Sequence, residues 1–492
     1  MTNFKNLQNK IQQSKLYRWW VLLIVLLSTF MAILDVTVVN VGMPAIMQSF
    51  GIDISKAEWV VTSYLITMTL MLVVSGWLAD KFGVKRIYLL GLSIFTLGSF
   101  LCGRAENEFS LILFRAFQGI GGGMVQALGL AIVSREFPPK ERGIALGFWA
   151  AAAAASISFG PLVGGYLVDD ANWHYIFDLN IPLGILAVLL AWVIQKEWKK
   201  PNIGPFDTLG FICAIVFLPL TIFALGQGNA SSNPLGWESP LVIGTFIIAG
   251  LAFIGFILRE LNTQTPLLNI RLLKDRTFGI SMLIVFLFSI GMFGVSFLLP
   301  LFLENGLGYT AIMVGGLFLP VGIIQGILGP VSGLITRRIG YLSLIIPGIS
   351  IMIVSLFMAS QFDLETSYRT ISISLYLRGL GMGLTFAPIS SMALSHIPNE
   401  EMSSASGIAT TFKQLSGSIS IALLTTIMSA RIHYHHSCTS LSSNEASVNL
   451  ANKIATMEGI TDAFKVTTGI LILAGFCLLF LIKLPKKQSP IK

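Results

Sequence analysis

Runs of about twenty apolar residues follow one another along almost the whole chain, and nothing else in the sequence limits its fold as tightly. An α-helix of that length crosses a bilayer, and in hydrocarbon only helices or closed barrels satisfy their own backbone. The runs lie at about 19–44, 57–79, 86–103, 109–133, 142–166 and 174–195, then 206–228 and 237–261. Six more follow at about 276–303, 310–335, 341–360, 367–392, 403–431 and 462–483, which makes fourteen spans. Charged residues are 11% of the chain, against about 25% in a soluble domain, which excludes a soluble fold. The net charge of +8 does not point to nucleic acid, because the basic residues sit in short alternate loops. Lys81, Lys85 and Arg86 lie on one side, with Arg135, Lys140 and Arg142, then Lys196, Lys199 and Lys200, then Arg337 and Arg338. The opposite side has little beyond Arg104, Arg369, Arg431 and Lys453. Both termini therefore belong on the basic, cytoplasmic side. The basic residues before Trp19 lead straight into the first span with no small-residue cleavage site, so this span reads as a signal anchor. Cys102, Cys213, Cys438 and Cys477 have no paired spacing, so no disulfide framework or metal knuckle is indicated.

Two patterns recur along the chain. Gly76-Trp77-Leu78-Ala79-Asp80-Lys81-Phe82-Gly83-Val84-Lys85-Arg86 is a tight basic turn between the second and third spans, and Gly333 to Gly340 echoes it. Arg115, followed by Gly119 and Gly121 and ending near Pro138, is echoed by Arg378, followed by Gly379, Gly381 and Gly383 and ending near Pro398. Both echoes keep their orientation to the membrane. This predicts an all-α polytopic protein with two parallel six-helix bundles, 19–200 and 263–485, and two inserted helices in 201–262. Residues 1–18 and 486–492 then form cytoplasmic ends, and 432–459 a polar periplasmic loop with no helical apolar stripe. Parallel halves suit alternating access, in which two bundles rock around a central site.

Charges inside such spans are costly and point to function. Asp35 lies roughly 10–15 Å and Arg115 roughly 9 Å from the outer ends of their spans, at 1.5 Å per residue. Two opposite charges at matched depth make a plausible pair, although an Asp there can also snorkel to the interface. A carboxylate pulled between an arginine and apolar surroundings can bind or lose a proton as those surroundings change, so Asp35 is expected to carry a proton under the control of Arg115. The glycines after Arg115 do not form a nucleotide loop, because they lie mid-membrane and follow no strand. Glu304 reads as a solvated edge charge or a mouth acid. Lys413 sits inside the thirteenth span. His433, His435 and His436 lack an acid or Cys frame for a metal. No phosphate-loop Gly-Lys-Ser/Thr and no Ser–His–acid set is present, so neither ATP use nor an enzyme is indicated, and no cofactor or metal is expected.

The turn from Gly76 to Arg86 resembles the loop motif of the major facilitator superfamily, with Lys81 where Arg is commoner. Leu34-Asp35-Val36-Thr37-Val38-Val39-Asn40-Val41-Gly42-Met43-Pro44 resembles the first-helix motif of its proton-driven drug exporters, and Arg115 matches the fourth-helix motif. Gly160-Pro161-Leu162-Val163-Gly164-Gly165 resembles the exporter motif, and Trp173 to Gly184 the start of helix 6 in the fourteen-helix branch, with Asp178 where a bulky apolar residue is usual. Together they resemble the fourteen-helix drug:proton antiporters of the EmrB/QacA type, over roughly residues 15–485. The resemblance implies export of hydrophobic or cationic compounds across the bacterial inner membrane, driven by the proton gradient. It also implies, in Gram-negative bacteria, a periplasmic adaptor and an outer-membrane channel. It makes Gly76, Asp80, Gly83 and Arg86 a cytoplasmic gate and Gly160, Pro161, Gly164 and Gly165 the exporter hinge. Gln118, Gln126, Trp149, Phe177 and Asp178 are candidates for the substrate cavity, where Phe and Met would supply adaptable apolar walls and Asp35 would compensate a cation. Asp178 equally suits the first turn of a helix, where an anion is favoured. A same-fold exporter of one metabolite, fatty acid, lipid or siderophore, and a non-transporting receptor or scaffold, are the rival readings.

Overall fold

The computed structural model describes residues 14, 16–52, 54–170, 172–200, 204–228, 233, 235–264, 266–439 and 445–482. Within them the chain forms fourteen long helices. The first six are α1 (Tyr17–Phe50), α2 (Ile54–Phe82), α3 (Val84–Cys102), α4 (Glu108–Glu136), α5 (Pro139–Asp170) and α6 (Asn180–Ile194). Then come α7 (Thr208–Gln227) and α8 (Pro240–Asn262). The last six are α9 (Arg276–Leu301), α10 (Ala311–Ile339), α11 (Leu342–Ala359), α12 (Tyr368–Ala393), α13 (Met402–Thr439) and α14 (Glu445–Ile482). Among the described residues, twelve stretches are long and apolar enough to cross a membrane, and α5 and α12 pack among them. The protein is a multi-pass membrane protein.

Local chemistry sets many of the helix ends. Asn107 accepts from the Ser110 N–H (2.9 Å) while the Ser110 hydroxyl accepts from the Asn107 N–H, a reciprocal cap that starts α4. Asp275, Thr310 and Ser367 cap α9, α10 and α12 one way only, each side-chain oxygen accepting the N–H three residues on. Gly83 turns the chain from α2 into α3 with φ +108°, a region that a side chain rarely tolerates.

The helices form two bundles. In the first, α4 packs on α2 and α3, while α1 packs on α4, α5 and α6. In the second, α12 packs on α10 and α11, while α9 packs on α13 and α14. The inserted α7 and α8 pack on each other, and α7 reaches α2 and α13. Arg259 holds Asp207 across this hairpin (2.9 Å), and the buried Glu260 carboxylate accepts the N–H groups of Leu267 and Leu268 (3.3 Å each). The free face of α8 exposes Leu241, Ile247, Leu251 and Leu258, as a surface bathed in lipid should.

Between bundles, α5 lies along α10 and α2 along α13. The α5–α10 contact is closest at the end that carries the basic loops. A Cβ on Gly143 would stand 3.1 Å from the Gly333 Cα, and one on Gly329 would stand 2.6 Å from the Gly147 carbonyl oxygen. Four glycines thus bring two backbones together and close that end of the molecule.

One expectation fails. The segment 432–459 is not a loop at its two ends, because α13 continues to Thr439 and α14 already begins at Glu445. A helix leaving the bilayer keeps its own backbone bonds whatever its side chains, so it needs no apolar stripe. The side chains of His433, His435, His436 and Cys438 lie outside the described residues, as do the tail 486–492 and most of segment 1–18. Glu304 is exposed beyond α9, as an edge charge would be.

Candidate functional site

The Asp35 and Arg115 side chains, both 0% exposed, form an ion pair of 2.6 Å inside the first bundle. Its geometry follows from the helices. α1 carries Asp35 past α4, where Arg115 and Gln118 stand one turn apart on the same face. Gln118 Nε2 donates to Asp35 Oδ1 (2.9 Å) and to Ser99 Oγ on α3 (2.6 Å), while its Oε1 accepts from Arg115 Nη1 (2.6 Å). Asn180, the first residue of α6, donates from Nδ2 to Asp35 Oδ1 (2.8 Å) and Ser99 Oγ (3.2 Å). Arg115 Nε donates to the Val60 carbonyl on α2 (3.2 Å). The guanidinium lies 4.2 Å from the Tyr64 ring centre and 5.7 Å from that of Phe177.

Five helices therefore contribute to one buried polar cluster, and the carboxylate accepts from three side chains. Deleting one member of such a pair leaves an uncompensated charge in a dry interior, which costs about 3–5 kcal/mol. The Asp35 charge is thus held by the geometry of its pair and its two amide donors. It lies within one bundle, and all its hydrogen-bonding partners named above come from α1, α2, α3, α4 and α6.

In this structure the Asp35 charge is taken by Arg115, Gln118 and Asn180. Gln118 belongs to the same cluster, and Phe177 walls it. Asp178 lies outside it. Its carboxylate is held by Arg104, just beyond α3. Gln126 Nε2 is directed at Met68 Sδ on α2 (3.6 Å). Trp149 stands at the seam between bundles, with Nε1 donating to Thr29 Oγ1 (3.0 Å) and its ring 6.1 Å from that of Phe386 on α12. Lys413 of α13 reaches both rings, 5.4 Å from Trp149 and 4.8 Å from Phe386. On the next face of α5, an apolar groove of about 360 Å³ opens between α1, α5 and α10, lined by Leu26, Phe148, Ala152, Phe159, Ile323 and Gly326 among others.

At the basic end, the turn after α2 is strapped to the segment that follows α6. The Glu197 Oε1 accepts from the Lys85 N–H (3.0 Å), its Oε2 faces Arg86 Nε (3.6 Å), and the Asp80 carbonyl accepts from the Lys200 N–H (3.2 Å). Gly76 is buried in α2, and Gly83 lies against the Glu197 carboxylate. Two contacts cross between the bundles nearby. Lys200 pairs with Glu401 (3.6 Å), and Arg142 Nη1 donates to the Leu394 carbonyl (3.0 Å). Gly83 and Arg86 thus order the turn, whereas Lys200 and Arg142 span the gap. In the expected hinge, Gly160 packs against Thr37 of α1 and Gly164 is buried. Pro161 and Gly165 fall within α5, but their surroundings lie outside the described residues.

A family model described as Major Facilitator Superfamily matches residues 25–421. The chain belongs to the major facilitator superfamily. Its relatives include the multidrug export protein EmrB of Haemophilus influenzae, 29% identical over 412 residues, which covers 83% of this chain and 80% of that one. The riboflavin transporter RibZ of Clostridioides difficile is 30% identical over 422 residues, covering 85% and 90%. Among solved structures, the proton:xylose symporter XylE superposes with a TM-score of 0.64 at 15% identity, covering 95% of this chain and 96% of that one, a likeness of fold. The superfamily comprises transporters rather than enzymes. The multidrug relatives agree with the drug:proton antiporter resemblance read from the motifs.

Sequence reasoning found Asp35, Arg115 and Gln118 but not Ser99, Tyr64 and Asn180, single polar residues in apolar helices. Asn180 had one signal, its place within the Trp173–Gly184 motif.

Proposed function

We propose that this chain is a proton-coupled exporter of small hydrophobic compounds, working by alternating access across the bacterial cytoplasmic membrane, with fourteen spans and both ends in the cytoplasm. The observation that carries the reading is the Asp35–Arg115 pair, wholly enclosed in the first bundle with Gln118, Ser99 and Asn180. Rocking of the bundles strains the helices that hold this cluster. When the pair loosens, the carboxylate takes a proton from one side. When the pair re-forms, the proton leaves to the other. Gly143, Gly147, Gly329 and Gly333 close the basic end in the state described here, and the Lys200–Glu401 pair bridges the bundles beside them. The apolar groove along α5 and α10 offers a lodging for a hydrophobic body.

A second reading, export of one defined metabolite, is favoured by the kinship with a riboflavin transporter. Substrate breadth separates the two. In vesicles carrying the purified protein, an imposed pH gradient should drive uptake of several unrelated hydrophobic dyes at least about tenfold faster than in empty vesicles. Movement of one compound only would select the second reading, and no response to the gradient would reject proton coupling.

A further inference from the structure

Four charged side chains stand well inside the long helices: Asp35 on α1, Arg115 on α4, Arg378 on α12 and Lys413 on α13. A further set lies toward the outer ends of α13 and α14, where Arg431 and Lys465 both reach Asp462. Asp35 and Arg115 cancel. Arg378 and Lys413 do not, and no ion pair among the described residues includes either. Among the described residues, the second bundle therefore holds two positive charges and no acid at this depth.

Arg378 is 3% exposed. Its Nη2 donates to the Met292 carbonyl (2.9 Å) and to Ser296 Oγ (2.5 Å), while Nε and Nη1 are buried with no partner among the described residues. Lys413 is half-buried at the seam between bundles. Its ammonium meets two aromatic faces, Phe386 from its own bundle and Trp149 from the other. Such contacts contribute about 0.5–2 kcal/mol, less than the cost of withdrawing an ammonium from water. The rings turn only their faces to it and offer no lone-pair acceptor. An anion between the bundles would complete this site. Asp35 cannot supply it, since it is enclosed on the far side of α4 and α1 with donors of its own.

We propose that Lys413 anchors an acidic group on the transported compound, so that the cargo is an amphiphilic anion, with a carboxylate or sulfonate on a hydrophobic body that lies against Trp149 and Phe386. The inference rests on the export reading above. Arg378, deeper in the same bundle, keeps the path positive and works against cations. Release of the anion returns the ammonium to its two rings, so the empty carrier keeps Lys413 ordered.

The test uses equilibrium binding to the purified, full-length protein, which does not depend on proton coupling. Three dansyl probes share one octyl chain and end in a sulfonate, a carboxamide or a trimethylammonium. The sulfonate keeps its charge at all working pH values, so a gradient alone does not redistribute it. The wild-type protein should bind the sulfonate at least about tenfold more tightly than the trimethylammonium probe. Lys413→Gln, eluting as a monodisperse species, should lose about tenfold of sulfonate affinity, and Lys413→Arg should keep most of it. Any other order overturns the assignment, including no saturable sulfonate binding or equal sulfonate affinity in Lys413→Gln. If the sulfonate binds as expected but does not move when a pH gradient is imposed, the coupling reading fails while the anion site stands.

Discussion

Asp35→Asn abolishes gradient-driven export, lowering it about a hundredfold or more in the vesicle assay. Asparagine matches the shape of aspartate, but its single oxygen can face either Arg115 or Gln118 and not both, and it cannot exchange a proton. It also leaves the Arg115 guanidinium, fully buried against Tyr64 and Phe177, without a counter-charge. That loss costs about 3–5 kcal/mol, so the variant should melt at a lower temperature than the wild type. Removing both charges at once, in Asp35→Asn with Arg115→Gln, should restore much of the stability, because a buried pair replaced as a unit is close to neutral. Export should not return. Stability rescued without transport would separate the structural role of the pair from its role in coupling. Full gradient-driven export by Asp35→Asn would dismiss the carboxylate as the proton carrier.

Gly329→Val should open the basic end of the molecule and reduce transport about tenfold or more. The Gly147 carbonyl oxygen already stands where a Cβ on Gly329 would be crowded at 2.6 Å, and valine adds two methyl groups beyond it. Neither backbone can give way alone, because Gly143 and Gly333 make the same contact one turn further along. The helices must separate, and the closed state loses population to the open one. Nitroxide labels at Lys140 and Arg338, both exposed at this end, report the change in a background without the native cysteines. Their distance distribution should shift outward by several ångströms, about the width added by a valine side chain. An unchanged distribution with unchanged transport would show that the glycine contact does not set the closed state.

The spans and the inserted hairpin were legible because length and hydrophobicity report directly on the bilayer. The outer turns of α13 and α14 were not, since polar helix beyond the membrane has no periodic apolar face to reveal it. α12 resembles its neighbours in packing but carries Arg378 and a row of serines, so it stands apart from the twelve apolar stretches. Of the site, Asp35 and Arg115 could be matched by depth, which needs only the rise of a helix. Ser99 and Asn180 could not, because which face of α3 or α6 turns inward is decided by tertiary packing. The basic turn was visible as a motif, yet its partner Glu197 comes from a segment over a hundred residues away, and the bridging pair Lys200–Glu401 joins two loops with no shared pattern. Lys413 stood out as a charge in a span, but the two rings that hold it lie on helices that sequence spacing does not bring together.

The proposed mechanism requires one enclosed carboxylate to change its proton occupancy as the cargo comes and goes. Proton release can be followed with a pH-indicator dye in weakly buffered detergent solution when a transported compound is added to the purified protein. The wild type should release protons in a saturable manner, with Asp35→Asn releasing none although it still binds the compound. Equal release from the two proteins would contradict the claim and move the proton site to another residue.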